Sequence, residues 1–405
     1  MPSTGPRTIE TSPALEVFRV FLRLGLTSFG GPIAHLGYFR EEFVARRGWL
    51  DDARYAQLLA ICQFLPGPAS SQMGFAIGLL RAGWRGALAA FAGFTLPSAL
   101  LMFGFASVSA RLDRGPGAAL VHGLKLVAVA VVAHGLLGMA RQMTPDLRRA
   151  AIAAIACLCV LWLGTAWSQL AAIALGAVLG AMLCARTVAS PASPDALPVR
   201  YGHGVALAWL GVFASLLAAA LAWPPREPGA GAMAAAFYRA GALVFGGGHV
   251  VLPLLQESLV DTGWIPSGTF LAGYGAAQAV PGPMFSIAAY LGAATPTGWP
   301  VPASATLALM AVFLPGFLLL AATLPFWRRV QAVRGAAPML AGVNAAVVGL
   351  LAAALYDPVW TQGIATWRDV AIVLVAFAML LRWRAGAPWV VAWCVGASMA
   401  LHLLG

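Results

Sequence analysis

The tripeptide Pro-Gly-Pro occurs twice inside apolar segments, at Pro66-Gly67-Pro68 and at Pro281-Gly282-Pro283. Proline cannot donate a backbone hydrogen bond and glycine tolerates unusual dihedral angles, so the tripeptide predicts a break in a membrane helix. Broken backbone is tolerated at membrane depth only where protein buries it or where it lines a cavity. The helix that restarts after a break presents free N–H groups and the positive end of its dipole, an arrangement that binds anions.

Hydroxyl and amide side chains accompany both breaks. Ser70, Ser71 and Ser286 follow the breaks within one helical turn, and Gln63 and Gln278 each lie three residues before the first proline. The recurrence favours an anion site built from both segments over the alternative, a kink that serves helix packing. For the two glutamines, hydrogen bonding between helices is the alternative function.

A second motif also occurs twice, as Phe29-Gly30-Gly31-Pro32 and as Phe245-Gly246-Gly247-Gly248-His249. The glycines predict either a kink that faces the substrate or a close contact between helices, and Pro32 favours the kink. The second copy has Gly248 where the first has Pro32, so the two sites are expected to be unequal. His249 is either a group that titrates near neutral pH or an inert hydrogen-bonded residue.

Ionisable residues in or next to apolar segments are the remaining candidates. Glu41 and Glu257 occupy matched positions, 216 residues apart, and together with His249 they are candidates for proton coupling. A solvated helix end explains Glu41 nearly as well. Lys125 is the only lysine in the chain, and its matched position holds the neutral Asn344. Lys125 and Asn344 are therefore candidates for anion binding, with a lysine that snorkels to the membrane surface as the alternative.

The composition excludes a soluble domain. Aliphatic, aromatic and sulfur-containing residues make up 60% of the chain, charged residues make up 10%, and the mean hydropathy is +0.83. The net charge of +11 comes from arginines in short loops, which indicate topology signals and contacts with membrane lipid rather than a nucleic-acid surface. The five cysteines lack the spacing of a disulfide framework or a metal site, so neither a metal nor another cofactor is expected.

The apolar segments predict an all-α polytopic membrane protein of about thirteen helical elements. Motifs matched at offsets of 215 and 216 residues indicate two diverged copies of one unit. We expect a disordered N-terminal tail at 1–15, a first repeat at 16–186, a linker with one transmembrane helix at 187–231 and a second repeat at 232–405.

The count of spans predicts that the two copies are inverted, because six spans in each copy and the linker helix put an odd number between equivalent positions. The arginines support this only weakly, since a group of four then falls on the outer side: Arg40, Arg46, Arg47 and Arg54. A re-entrant hairpin at 57–80 would remove the conflict, but on the same count it would make the copies parallel.

The motifs "FGGP", "REEFV", "GWL" and "QFLPGP" in the first half, and "FGGGH", "QESLV", "GWI" and "QAVPGP" in the second, resemble the chromate transporter family in its long, two-domain form. The resemblance covers 17–186 and 232–405. It implies secondary active export of chromate from the bacterial cytoplasm across the inner membrane, with sulfate as a related oxyanion and the proton-motive force as the energy source. The chain has no GxxxxGK[ST] motif for ATP.

Two other classes of function are alternatives to a carrier. An anion channel with the same anion cradle is the first, and the sequence does not separate it from a carrier. A membrane-embedded enzyme is less favoured, because the predicted spans hold no paired carboxylates, metal cluster or nucleophile with its base. The oligomeric state is left open, a homodimer included.

Overall fold

The computed structural model describes residues 12–109, 112, 116–163, 168–184, 197, 199, 201–223, 227–245, 248–333 and 335–404. Over these residues the protein consists of helices and connecting segments, without a strand. Five of the described helices are long and apolar enough to cross a membrane, by length and composition. The predicted all-α polytopic class is confirmed.

The described part of the first repeat forms seven α-helices: α1 (Pro13–Thr27), α2 (Gly31–Arg40), α3 (Asp52–Phe64), α4 (Ala69–Ser109), α5 (Pro116–Met143), α6 (Leu147–Leu163) and α7 (Ser168–Leu183). A π-helix at Glu41–Arg46 continues α2. Helix α4 is broken at Ala82 and Gly83, whose dihedral angles are not helical. We call residues 69–81 the short arm of α4 and residues 84–109 its long arm.

The linker forms α8 (His203–Ala222). The second repeat contains the remaining α-helices of the described chain: α9 (Ala230–Leu243), α10 (Val251–Leu259), α11 (Ser267–Ala279), α12 (Ile287–Ala294), α13 (Val301–Thr323), α14 (Trp327–Ala332), α15 (Ala336–Ala354), α16 (Thr361–Gly363), α17 (Trp367–Leu381) and α18 (Ala387–Leu404). Short 3-10 helices precede α10, α12 and α14, and a π-helix at Leu355–Trp360 precedes α16. The described residues form more helices than predicted, because each Pro-Gly-Pro divides one predicted element and because α2 and α10 follow the glycine motifs.

Helix α1 shows how local sequence sets an element. Ser12 caps its start by accepting a hydrogen bond from the Leu15 amide at 3.4 Å, and Pro13 occupies the first turn, where its missing N–H is not needed. Its buried side chains recur with the spacing of one helix face: Val17, Val20, Phe21 and Leu24. The helix thus begins inside the predicted tail 1–15, of which residues 1–11 lie outside the described part of the chain.

The first repeat begins with two helical hairpins that open on one face. The Glu16 carboxylate near the start of α1 accepts a hydrogen bond from Arg47, after the π-helix, at 3.4 Å and another from Arg81, at the end of the short arm, at 3.2 Å. Both guanidinium groups also lie over the Trp49 ring, at 5.5 and 5.0 Å. Helices α1 and α2 therefore form one hairpin, and α3 and the short arm form a second. We call the face with Glu16, Arg47 and Arg81 the arginine face.

The hairpin of α11 and α12 in the second repeat opens on the opposite face. The Tyr290 hydroxyl on α12 donates to the Thr269 carbonyl in the first turn of α11 at 3.1 Å, so α12 returns along α11. Tyr290 also stacks on Phe105 near the end of the long arm of α4, with ring centroids 5.4 Å apart. Because the long arm starts beside Arg81 on the arginine face, its far end marks the other face.

The long arm of α4 and its counterpart α13 run in opposite directions. Trp84, at the start of the long arm, lies 5.3 Å from the ring of Tyr201, whose hydroxyl donates to the Ala321 carbonyl near the end of α13 at 2.7 Å. Two turns further along the long arm, Phe91 contacts Phe317, which precedes Ala321 on α13, with ring centroids 5.0 Å apart. The long arm of α4 therefore runs away from the arginine face, whereas α13 runs toward that face.

The last two helices of each repeat pack on the other repeat. Helices α6 and α7 contact α15, while α17 and α18 contact α5. The Ser398 hydroxyl donates to the Ala119 carbonyl at 2.8 Å, and the Gln169 amide donates to the Pro253 carbonyl at 3.1 Å. The two halves of the sequence therefore share one hydrophobic core.

Candidate functional site

The two Pro-Gly-Pro breaks are each hydrogen-bonded to the other repeat, in a reciprocal pattern. The Gly67 amide donates to the Val244 carbonyl at 2.7 Å, and the Gly282 amide donates to the Ser28 carbonyl at 2.9 Å. Val244 and Ser28 are matched residues, since each immediately precedes a Phe-Gly-Gly motif. Each break is thus joined to the residue that precedes the glycine motif of the opposite copy. We call the region of these four residues the crossing.

Both central glycines of the breaks have conformations and neighbours that exclude a larger residue. Gly67 has a φ of +122° and Gly282 a φ of +102°, in the region that favours glycine. A Cβ on Gly67 would lie 3.0 Å from the Gly316 Cα on α13, and a Cβ on Gly282 would lie 3.0 Å from the Ser98 Oγ on α4. Ser98 and Gly316 each follow the matched prolines Pro97 and Pro315, so this second contact is reciprocal as well.

Gln72 ties one break to both repeats, and sequence reasoning missed it. Its Nε2 donates to the Pro66 carbonyl at 2.9 Å and to the Gly316 carbonyl at 3.0 Å. The side chain is fully buried, and its Oε1 has no hydrogen-bond partner among the described residues. A glutamine one turn after Pro68, at the start of a membrane helix, was the available signal.

The serines that follow the breaks lie in different local structures. The short arm of α4 begins at Ala69 as an α-helix, whereas a 3-10 helix at Met284–Ser286 precedes α12. The Ser70 hydroxyl lies 3.4 Å from His35 Nδ1, and the Ser71 Oγ is buried without a hydrogen-bond partner in the described structure. Ser286 is buried. The two helix starts are therefore related in sequence but not equivalent in structure.

The glutamines beside the breaks do not occupy matching environments. Gln63 is exposed at the end of α3. Gln278 is partly buried, and its Nε2 lies 3.0 Å from the Met284 sulfur across the second break. Gln63 and Gln278 as anion ligands stay a prediction.

The chain reverses at the first glycine motif. Gly30 has a φ of +102° and caps α2, Gly31 has a φ of +77°, and Pro32 lies in the first turn of α2. In the second copy, Gly246 and Gly247 lie outside the described residues, and Gly248 starts a buried 3-10 helix. A direct contact of these glycines with substrate stays a prediction.

The candidates for proton coupling lie in three different environments. Glu41 is exposed, while the adjacent Glu42, which the sequence did not single out, is buried and accepts hydrogen bonds from Arg46 and Arg47 at 2.7 Å each. Glu257 is partly buried on α10. His249 Nδ1 lies 2.6 Å from the Tyr274 hydroxyl.

Lys125 and Asn344 lie on the matched helices α5 and α15. The Lys125 Nζ lies 3.0 Å from the position that a Cβ would take on Gly268, in the first turn of α11. Helix α11 then continues for 11 residues to Ala279, a rise of about 17 Å, before the second Pro-Gly-Pro. The Asn344 Oδ1 is buried without a hydrogen-bond partner among the described residues.

The position of Lys125 leads to a measurable expectation. Since Nζ lies beside the first turn of α11, remote from the second break, we expect Lys125→Gln to have a small effect on transport of chromate, the anion that the family resemblance implies. The loss should be less than about tenfold, the change produced by losing a charge-assisted contact of about 1.4 kcal/mol. Initial rates in vesicles with equal amounts of protein measure this. A loss beyond tenfold with normal membrane insertion would instead show that Lys125 offsets the charge of the anion.

Comparison with known proteins agrees with this architecture. The chromate transporter family model matches residues 15–181 and 231–400, one match over each repeat. The chain belongs to the chromate transporter family. The two matches together supply every residue of the crossing, whereas α8 falls between them.

Named relatives extend over most of the chain. A chromate transport protein of Pseudomonas aeruginosa is 30% identical over 84% of this chain and 80% of its own length. A chromate transport protein of Cupriavidus metallidurans is 26% identical over 94% of this chain and 92% of its own length. An uncharacterized transporter of Methanocaldococcus jannaschii is 24% identical over 78% of this chain and 76% of its own length. No solved structure matches the chain.

Proposed function

We propose that this family member is a secondary transporter that exports chromate from the bacterial cytoplasm across the inner membrane and so confers chromate resistance. The observation that carries the proposal is the pair of reciprocal hydrogen bonds, from Gly67 to Val244 and from Gly282 to Ser28. Each bond joins a broken helix of one repeat to the other repeat. Transporters built from repeats commonly bind their substrates at such an interface, next to broken helices.

The chemistry of the crossing suits a tetrahedral oxyanion. Chromate carries two negative charges and accepts hydrogen bonds at each oxygen, so its site needs several convergent donors in a place with little water. The buried hydroxyl of Ser71 and the first turn of the short arm of α4 supply donors there. Sulfate has the same shape and charge, and we propose it as a related substrate.

The direction of transport follows from the membrane potential. An inside-negative potential favours the exit of a dianion by about twice 2.3 kcal/mol for each 100 mV. Coupling to the proton-motive force, with Glu257 and His249 as candidate proton carriers, belongs to the same proposal. A channel with the same site is the alternative.

We further propose that the two repeats are inverted in the membrane. The contacts of Glu16 with Arg47 and Arg81 bring both ends of each hairpin of the first repeat to the arginine face, so both hairpins re-enter from that face. The 13 residues of α3, a helix of about 20 Å against about 30 Å of hydrocarbon, agree with a re-entrant segment. The first repeat then crosses the membrane four times, with the long arm of α4, α5, α6 and α7, and the second repeat crosses it four times with the matched helices. Together with the single pass of α8, an odd number of passes still separates equivalent positions in the two repeats. The arginine face collects Arg40, Arg47 and Arg81, which supports a cytoplasmic location for it.

The inversion predicts opposite accessibility of two matched residues. Asp51 precedes α3 and Pro266 precedes α11, and both are exposed. With the native cysteines replaced, we expect a membrane-impermeant thiol reagent added outside whole cells to label Pro266→Cys but not Asp51→Cys. In inside-out vesicles the labelling should be reversed. Labelling of both from the same side would show that the repeats are parallel.

Transport itself is tested in inside-out vesicles and proteoliposomes. We expect protein-dependent, saturable chromate uptake into inside-out vesicles that carry an imposed proton-motive force, with inhibition by sulfate exceeding that by phosphate. Absence of uptake would contradict the proposed function. In proteoliposomes, stimulation of uptake by chromate on the opposite side indicates a carrier, whereas conductance without such counterflow indicates a channel.

A further inference from the structure

His35 is a fully buried ionisable residue at the crossing. It lies on α2, four residues after the chain reversal, and none of its surface is exposed. Its Nδ1 lies 3.4 Å from the Ser70 hydroxyl, and its ring packs edge-on against Phe94 with centroids 5.2 Å apart. The ring therefore contacts both the helix start after the first break and the α4 long arm, beside which Gly282 of the second repeat also lies.

The other ring nitrogen of His35 has no hydrogen-bond partner. The buried Nε2 finds no acceptor or donor among the described residues that meets the geometry of a hydrogen bond. The Ser28 carbonyl, which accepts from the Gly282 amide at 2.9 Å, also lies beside the ring, but its contact with Nε2 does not meet that geometry. A buried polar nitrogen without a hydrogen-bond partner is unfavourable, and a bound ligand that accepts from it would remove this cost.

Three buried hydroxyls share this condition, two of them on residues that directly follow the contacts of His35 in the sequence. Without a hydrogen-bond partner among the described residues are Ser28 Oγ, Ser71 Oγ and Thr95 Oγ1. Ser28 ends α1, Ser71 follows the partner of His35, and Thr95 follows Phe94. A hydroxyl and an imidazole N–H can each donate a hydrogen bond, and an oxyanion offers several acceptor oxygens to such donors.

The direction of the hydrogen bond with Ser70 decides which nitrogen of His35 donates. If the Ser70 hydroxyl donates to Nδ1, the neutral ring carries its proton on Nε2, which then faces the site as a donor. We infer that His35 binds the transported oxyanion through Nε2–H, and that Ser70 is a positioning residue that holds the ring in this tautomer. The inference rests on the proposed function and adds to it a ligand that only the first repeat supplies, because Val251 occupies the position 216 residues after His35.

Substitutions that move the donor test the inference. Glutamine can place an amide N–H near the position of Nε2, asparagine can place one only near Nδ1, and leucine has none. We expect the KM for chromate to rise about tenfold or more in His35→Leu and His35→Asn and to rise clearly less in His35→Gln, because one hydrogen bond to a charged partner is lost or kept. His203→Gln, exposed at the start of α8, is the control that should match the wild type.

Thermal unfolding in detergent separates binding from a structural function. Chromate and, separately, sulfate should raise the unfolding temperature of the wild type, since a ligand that binds the folded state stabilises it. His35→Leu should lose most of this ligand-induced rise while its unfolding temperature without ligand is unchanged or higher. If His35→Leu is not recovered, the Gln and Asn variants decide the matter. Equal KM values and equal ligand-induced rises in all recovered variants and the wild type would overturn the inference, whereas absent transport by the wild type would overturn the proposed function instead.

Discussion

Gly67→Ala is expected to lower chromate transport at least about tenfold. The substitution forces a Cβ into a backbone with a φ of +122° and to within 3.0 Å of the Gly316 Cα. A strained backbone of this kind costs about 1–3 kcal/mol by itself. The collision at the crossing adds to that cost, and about 1.4 kcal/mol lost from the transporting conformation corresponds to a tenfold change. Because Gly316 Cα is backbone of α13, it cannot move aside as a flexible side chain would. Initial rates in vesicles, normalised to folded protein, measure the effect.

A matched control separates strain from the collision with α13. Gly335 has a φ of +96°, and a Cβ there would meet nothing within 4 Å. Gly335→Ala therefore introduces strain without a contact and is expected to transport at a rate much closer to that of the wild type. Gly282→Ala, whose Cβ would approach Ser98, should resemble Gly67→Ala. Equal transport by the Gly67 and Gly335 variants would contradict the crossing as a site of close packing.

Gln72→Leu is expected to destabilise the folded protein by about 2–4 kcal/mol, the cost of losing two hydrogen bonds and leaving buried carbonyls unpaired. The lost bonds are those to the Pro66 carbonyl at 2.9 Å and to the Gly316 carbonyl at 3.0 Å. Gln72→Glu should be at least as unfavourable, because it replaces the donor with an oxygen that faces the same two carbonyls. Unfolding in detergent, followed by size-exclusion chromatography after heating, measures the change.

Gln63 provides the comparison for Gln72. Both residues flank the first Pro-Gly-Pro, but Gln63 is exposed. We expect Gln63→Leu to leave the unfolding temperature within experimental error of the wild type. If the two leucine variants are equally stable, the contact of Gln72 with α13 contributes little and the two repeats are held together elsewhere.

The broken helices could be predicted from sequence because their cause is local. Proline removes a backbone donor and fixes its own φ wherever it stands, and the glycine between two prolines can take a positive φ at little cost. Gly67 and Gly282 accordingly have φ values of +122° and +102°. The duplication could also be predicted from the sequence, because it requires only that motifs in the two halves be compared with each other. What each break contacts could not be read in this way, because Gly67 and Val244 are far apart in the sequence.

The number of membrane passes shows a second limit. Residues 57–80 are apolar over a length that could cross a bilayer, so composition does not distinguish one pass from a hairpin. The distinction rests on Glu16, which contacts Arg47, before α3, and Arg81, directly after that segment. Helices α1 and α2 also double back, which the sequence did not predict. Because both hairpins are removed from the count together, an odd number of passes remains, and the proposed inversion is compatible with the re-entrant hairpin.

His35 and Gln72 were overlooked for the same reason. Both stand a few residues after motifs that were singled out for their glycines and prolines, and neither has a polar counterpart at the matched position of the second repeat. A search for recurrence therefore passes over them. Their significance comes from burial and from partners on other helices, Ser70 for His35 and Gly316 for Gln72.

The sequence by itself determined that this protein is a helical membrane protein with two related halves, and where its helices break. These properties depend on hydropathy, on backbone chemistry and on similarity between segments, all of which are carried by residues close together in the chain. Only the tertiary structure decided that each break is hydrogen-bonded to the opposite repeat, that the last two helices of each repeat pack on the other repeat, and that His35 is buried against Ser70. Those contacts depend on how the hydrophobic core packs as a whole, and packing joins residues without regard to their distance in sequence.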